Sequence, residues 1–122
     1  MNLSNTAVAS ETRWQAVCQA SDLVADSGVV VWHEGEQVAL FYVPGQGREL
    51  YAVGNRDPRS GANTIGRGLL ASVGATVVVV APLYKQHFCL QDGKCLEDPT
   101  QHLPVWPVRT DGMTVELGQK RR

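Results

Sequence analysis

Val29-Val30-Val31-Trp32-His33-Glu34-Gly35-Glu36-Gln37-Val38-Ala39-Leu40-Phe41-Tyr42-Val43 reads as two strands joined by a turn of two residues. β-Branched and aromatic side chains fill both flanks, and an acidic residue followed by glycine sits between them, which suits the positive φ values of a type I′ hairpin. The same punctuation recurs. Asp92-Gly93 separates Phe88–Leu90 from Lys94–Leu96, and Asp111-Gly112 separates Val105–Val108 from Thr114–Leu117. With Trp14–Cys18, Glu49–Val53 and Thr76–Val80, nine short apolar segments stand at close spacing, the signature of an all-β, antiparallel sandwich or barrel. Helix is scarce: Ser21–Ala25 can form a capped turn, and Arg67–Ser72 a short helix crowded by Gly66, Gly68 and Gly74.

Two stretches break the strand pattern. Gly54 to Gly74 accumulates Asn55, Asp57, Pro58, Ser60, Gly61, Asn63 and Gly66, and Ala81 to His87 follows directly on the most apolar strand. Long connections between the strands of a β domain are where a site is usually placed. The 122 residues give one domain, expected over 12–118, with a polar, flexible N-terminal segment at 1–11 and a basic C-terminal tail at 119–122 that frays. Apolar residues make up 43% and charged residues 19%, the balance of a folded globule. Eleven Lys and Arg against twelve Asp and Glu leave a net charge of −1, which argues against nucleic acid as partner. The longest apolar run, Ala75 to Pro82, falls far short of the ~20 residues that span a bilayer, and the start lacks a leader pattern, so no membrane partner and a cytoplasmic location are expected.

Chemistry-bearing residues are sparse. Three cysteines, Cys18, Cys89 and Cys95, are an odd number without CxxC spacing, and a two-residue turn at Asp92-Gly93 pairs Leu90 with Cys95, leaving Cys89 on the other face. Three reduced thiols used as small hydrophobes are expected. Gly66-Arg67-Gly68-Leu69-Leu70-Ala71 fits GxGxxA formally but lacks the preceding strand and full following helix that a dinucleotide site needs. His33, His87 and His102 are scattered; His33 beside its turn and His102 in a polar loop read as solvated side chains. No catalytic constellation emerges. The charges show one local bias: Arg56, Arg59, Arg67 and Lys85 against Asp57 alone give the two irregular loops a surplus of three positive charges. That suits docking of an acidic partner.

The order of these features resembles a Rieske-type domain. A first loop follows Leu50-Tyr51-Ala52-Val53-Gly54-Asn55, a strand feeds Ala81-Pro82-Leu83-Tyr84, and Phe88-Cys89-Leu90-Gln91-Asp92-Gly93-Lys94-Cys95 matches the closing hairpin. In that family the first loop supplies C-x-H and the second C-P-x-H as cluster ligands. Here the four positions hold Asn55, Asp57, Ala81 and Tyr84. More specifically the chain resembles the small subunits of assimilatory NAD(P)H-dependent nitrite reductases, through Asn55-Arg56-Asp57-Pro58, Arg67-Gly68-Leu69 and Ala81-Pro82-Leu83-Tyr84-Lys85-Gln86-His87-Phe88 among others.

The resemblance implies a Rieske-like antiparallel fold with a smaller, loop-bearing β lobe at 55–96, the degenerate cluster-binding lobe. It also implies an accessory subunit with no catalytic residue, no metal and no cofactor of its own. The flavin, iron–sulfur cluster and sirohaem that take nitrite to ammonia would sit in a large catalytic partner, docked through Arg56, Arg59, Arg67 and Lys85. The alternative reading is a Rieske-type electron carrier or metal protein in which Asn55, Asp57 and Tyr84 hold a hard ion through oxygen.

Overall fold

The computed structural model describes residues 13–45 and 47–121; the segment expected to be flexible at 1–11 lies outside them, as does Arg122. Glu34 (φ 52°) and Gly35 (φ 78°) form the expected type I′ turn between β2 (Ser27–His33) and β3 (Glu36–Tyr42). Their ladder runs unbroken from His33↔Glu36 to Ser27↔Tyr42. Strand β4 (Leu50–Gly54) pairs antiparallel with β3, and β8 (Val105–Trp106) with β4, completing a four-stranded sheet. A second sheet, in the order β1-β10-β9, joins β1 (Gln15–Gln19), β9 (Val108–Thr110) and β10 (Thr114–Leu117). A third, smaller sheet of β5 (Leu69–Val73), β6 (Thr76–Val80) and β7 (His87–Cys89) is built from the chain between β4 and β8.

The sequence of β3 is apolar on successive residues because this strand is buried on both faces. Ala39 and Phe41, with Tyr51 and Val53 of β4, pack against Val79, Phe88 and Leu90 of the small lobe; Val38, Leu40 and Ala52 pack against Trp106, Val115 and Leu117. Two cores therefore share one middle layer, which holds the small lobe in a fixed position relative to the second sheet.

Several sequence expectations need correction. Arg67–Ser72 is not helical: a single 3₁₀ turn at Ile65–Arg67 gives way to β5. The cause is the close approach of Gly68 to β6, where a Cβ would stand 2.5 Å from the Val80 carbonyl oxygen, so the chain leaves Gly68 already paired as a strand. Ser21–Ala25 shrinks to a 3₁₀ turn at Ala20–Asp22. The hairpin around Asp92-Gly93 is longer than two residues, with Phe88 rather than Leu90 opposite Cys95, because Gly93 is anchored sideways by Leu103, whose amide donates to the Gly93 carbonyl. The slip is by two residues, so Cys89 and Cys95 keep opposite faces; all three thiols are free. In the last hairpin the final pair is Thr110 with Val115, so the loop runs over the four residues from Asp111 to Thr114 rather than over Asp111 and Gly112 alone.

The C-terminal tail does not fray over residues 119–121. Lys120 pairs with Glu36 and lies over the Trp106 ring, Arg121 donates its amide to the Val105 carbonyl, and Gln119 accepts the Arg13 amide. His33 is likewise buried rather than solvated, its Nε2 donating to the Gly118 carbonyl at 2.9 Å. Among the described residues no helix is long and apolar enough to cross a membrane.

Candidate functional site

The two irregular loops meet at the free end of the small sheet, and their first residues are structural anchors. Asn55 is buried and fully engaged: its Nδ2 donates to Gln37 Oε1 at 2.9 Å, its Oδ1 accepts the Gly66 amide at 2.7 Å, and its carbonyl accepts the Ile65 amide. Gly66 keeps this approach open, because a Cβ would press within 2.7 Å of the Val30 side chain and 3.1 Å of Asn55 Oδ1. Asp57 is completely buried and turns the loop back on itself, its Oδ1 accepting the amides of Arg59 and Ser60 while its own amide donates to the Ala62 carbonyl. Asp57 Oδ2 is left without a partner.

The second loop is closed by its own main chain. Ala81 donates to the Gln86 carbonyl and accepts the Lys85 amide, with Lys85 held in the left-handed region at φ 58°. Ala81 is fully buried, whereas Tyr84 is 52% exposed and fills no interior space. What joins the loops is a stack outside the core: the Arg59 guanidinium of the first loop lies 4.5 Å from the centre of the Tyr84 ring of the second. The base of the second loop is tied to the hairpin beyond it, as Glu97 accepts both the amide and the ring Nδ1 of His87. Partial burial raises the Glu97 carboxyl, but those two hydrogen bonds and the imidazole charge outweigh it and hold the group below its ordinary value.

Arg56, Arg59, Arg67 and Lys85 are all exposed, and none belongs to an ion pair seen among the described residues. They do not form one ring. Arg67 and Lys85 flank an apolar pocket of about 250 Å³ floored by Leu69, Val80 and Pro82. Arg59 is committed to Tyr84, and Arg56 lies on another side, lining a pocket of about 300 Å³ with Trp32, Asn63 and Pro104. Two exposed apolar side chains beside these cations, Trp32 at 68% and Leu69 at 77% exposure, are not among the candidate docking residues of the sequence. The signal for Trp32 was its place in the alternation of β2, opposite in phase to buried His33.

A Rieske cluster needs two thiolates on one iron and two imidazoles on the other. The four positions offer an amide already bonded on both sides, a carboxylate bonded through one oxygen, a methyl group and an exposed phenol. Cys89 and Cys95 cannot substitute. They belong to the hairpin beyond the second loop and face opposite sides of its sheet.

Residues 13–118 match the family model of the Rieske-like [2Fe–2S] domain. The small subunit of the NADH nitrite reductase of Salmonella typhimurium is 35% identical over 106 residues, 87% of this chain and 97% of that one. The chain belongs to the Rieske-like family, in its nitrite reductase small-subunit branch. The solved structure of the E. coli protein NirD superimposes on it with a TM-score of 0.79 at 30% identity, covering 89% of this chain and 98% of that one. A 108-residue match at 34% identity falls within the large subunit of the NAD(P)H nitrite reductase of Klebsiella oxytoca, of whose length this small-subunit-like chain spans 11%.

Proposed function

We propose that this chain is the accessory small subunit of a cytoplasmic NAD(P)H nitrite reductase and works as a cluster-free interaction module for the large catalytic subunit, with no chemistry of its own. The observation that carries the reading is the construction of the former cluster end. Hydrogen bonds of Asn55 and Asp57 hold the first loop, the main-chain closure of Ala81 to Gln86 holds the second, and the Arg59–Tyr84 stack makes the link between them that metal ligation would otherwise provide. The donor set does not fit a [2Fe–2S] cluster, and the oxygen-ligand alternative is disfavoured because the donors of Asn55 and one oxygen of Asp57 are already spent on protein amides.

The relatives support a partner role. The domain exists as a separate chain named small subunit in Salmonella, and a stretch resembling it lies within the chain named large subunit in Klebsiella. A domain found both fused and separate functions beside the same partner. In such an assembly the large subunit supplies the flavin, iron–sulfur and sirohaem chemistry that the resemblance implies. This chain supplies a rigid, basic and partly apolar tip.

The test is binding of the full chain to the large subunit at low and high salt, comparing wild type with Arg56→Glu/Lys85→Glu. This pair leaves the Arg59–Tyr84 stack intact. Charge at an interface rim acts mainly on encounter, so the double reversal should lower the association rate about tenfold or more at low salt and flatten its salt dependence. An unchanged rate and unchanged salt dependence, with the fold intact, would reject the tip as the interface.

A further inference from the structure

The outer edge of β5 is unpaired among the described residues. The small sheet runs β5-β6-β7, and Leu69 to Val73 make no main-chain hydrogen bond outside the ladder with β6. The register says which groups are left over. Val73 opposes Thr76 across the two-residue loop Gly74-Ala75, so that pair exchanges both of its ladder hydrogen bonds; Ala71 and Leu69 follow in phase. Leu70 and Ser72 fall between them, and their N–H and C=O groups point away from β6.

Exposed edges are ordinarily blunted by a charge, a proline or a bulge. Leu69-Leu70-Ala71-Ser72-Val73 has none of these, and its register with β6 is unbroken. Its outward side chains are apolar, with Leu69 77% and Val73 49% exposed. The edge faces a groove of about 300 Å³, whose lining adds Asp26 and Val43 to Leu69, Leu70, Ala71 and Ser72. At the start of the strand the groove gives way to the apolar pocket between Arg67 and Lys85.

We propose that this edge receives an extended segment of the large subunit, added to the small sheet as a further strand. Its alternate apolar residues would cover Leu69 and Val73, and a carboxylate would meet Arg67 and Lys85. This inference rests on the partner reading above and deepens it from a charged tip to a main-chain docking edge. Charge complementarity selects the occupant. A second copy pairing β5 against β5 brings only the uncharged stretch 68–80 toward the two cations and leaves them without a counter-charge.

The experiment compares main-chain amide exchange in the free full-length chain and in its complex with the full-length large subunit, together with binding by Ser72→Pro. Proline at 72 removes an outward N–H and none of the β5–β6 hydrogen bonds. The expected result is that the Leu70 and Ser72 amides, fast in the free chain, become protected in the complex. Ser72→Pro should bind about tenfold more weakly, the effect of one lost hydrogen bond and a displaced strand, while keeping its thermal midpoint. If Ser72→Pro loses the fold, the exchange result on wild type decides alone. Protection confined to the loop tip, with Ser72→Pro binding like wild type, overturns the edge and leaves the partner reading standing. No binding of wild type at all overturns both. Edge protection in the free chain that grows with its own concentration makes a second copy the occupant and overturns the large-subunit segment.

Discussion

Gly93 shows how much of this fold hangs on one residue without a side chain. It sits at φ 79° with its carbonyl bonded to Leu103, and a Cβ there would lie 2.0 Å from the Leu103 carbonyl oxygen. Gly93→Ala must therefore move main chain as well as adopt a left-handed conformation, and it should destabilise the domain by about 3 kcal/mol, read as a lower denaturant midpoint at unchanged m. A loss below about 1 kcal/mol would mean that the hairpin re-registers freely. Asn55 and Asp57 were legible as turn-binding side chains, because short polar groups that hydrogen-bond nearby amides depend on local geometry. The place of Tyr84 was not legible. Whether a ring points inward or lies under an arginine from a loop 25 positions away is decided by tertiary packing alone.

At the scale of elements, hairpins carry the structure, and the loop of the last one is capped by a carboxylate with a lowered value. Asp111 Oδ1 accepts the amides of Thr114 and Met113, and those two hydrogen bonds hold its carboxyl below the ordinary aspartate value. A lowered folded-state value means that the stabilisation is complete above the unfolded-state value and is lost as pH falls through the folded one. Asp111→Asn keeps the accepting oxygen and cannot titrate. Thermal midpoints of the wild type should thus fall more steeply than those of Asp111→Asn as pH drops from about 5 to about 3; parallel slopes would remove the turn from the acid response. The Glu34-Gly35 turn was readable because both of its residues take the left-handed values the pair suggests. Strand β5 was not readable as strand, since Leu69–Val73 follows two glycines and its extended form is imposed by β6 against Gly68.

At the scale of the molecule, β3 and β4 form a middle layer between two cores, which explains why Val38–Phe41 and Tyr51–Val53 are apolar and buried on successive residues. The pinned C-terminal residues belong to this scale. Gln119-Lys120-Arg121 looks like a solvated tail in sequence, and contacts to Arg13, Glu36, Trp106 and Val105, all outside its own segment, hold it. On the function proposed above, the small lobe is a preformed docking element, braced by protein instead of metal and presenting a basic tip and a bare strand edge. That this chain binds the large subunit and brings no cluster to it is tested most directly by multiwavelength sedimentation of the full chain mixed with the purified large subunit. The expected result is one faster boundary containing both chains, whose visible absorption equals that of the large subunit alone. Separate boundaries, or added visible absorption travelling with the small chain, would contradict it.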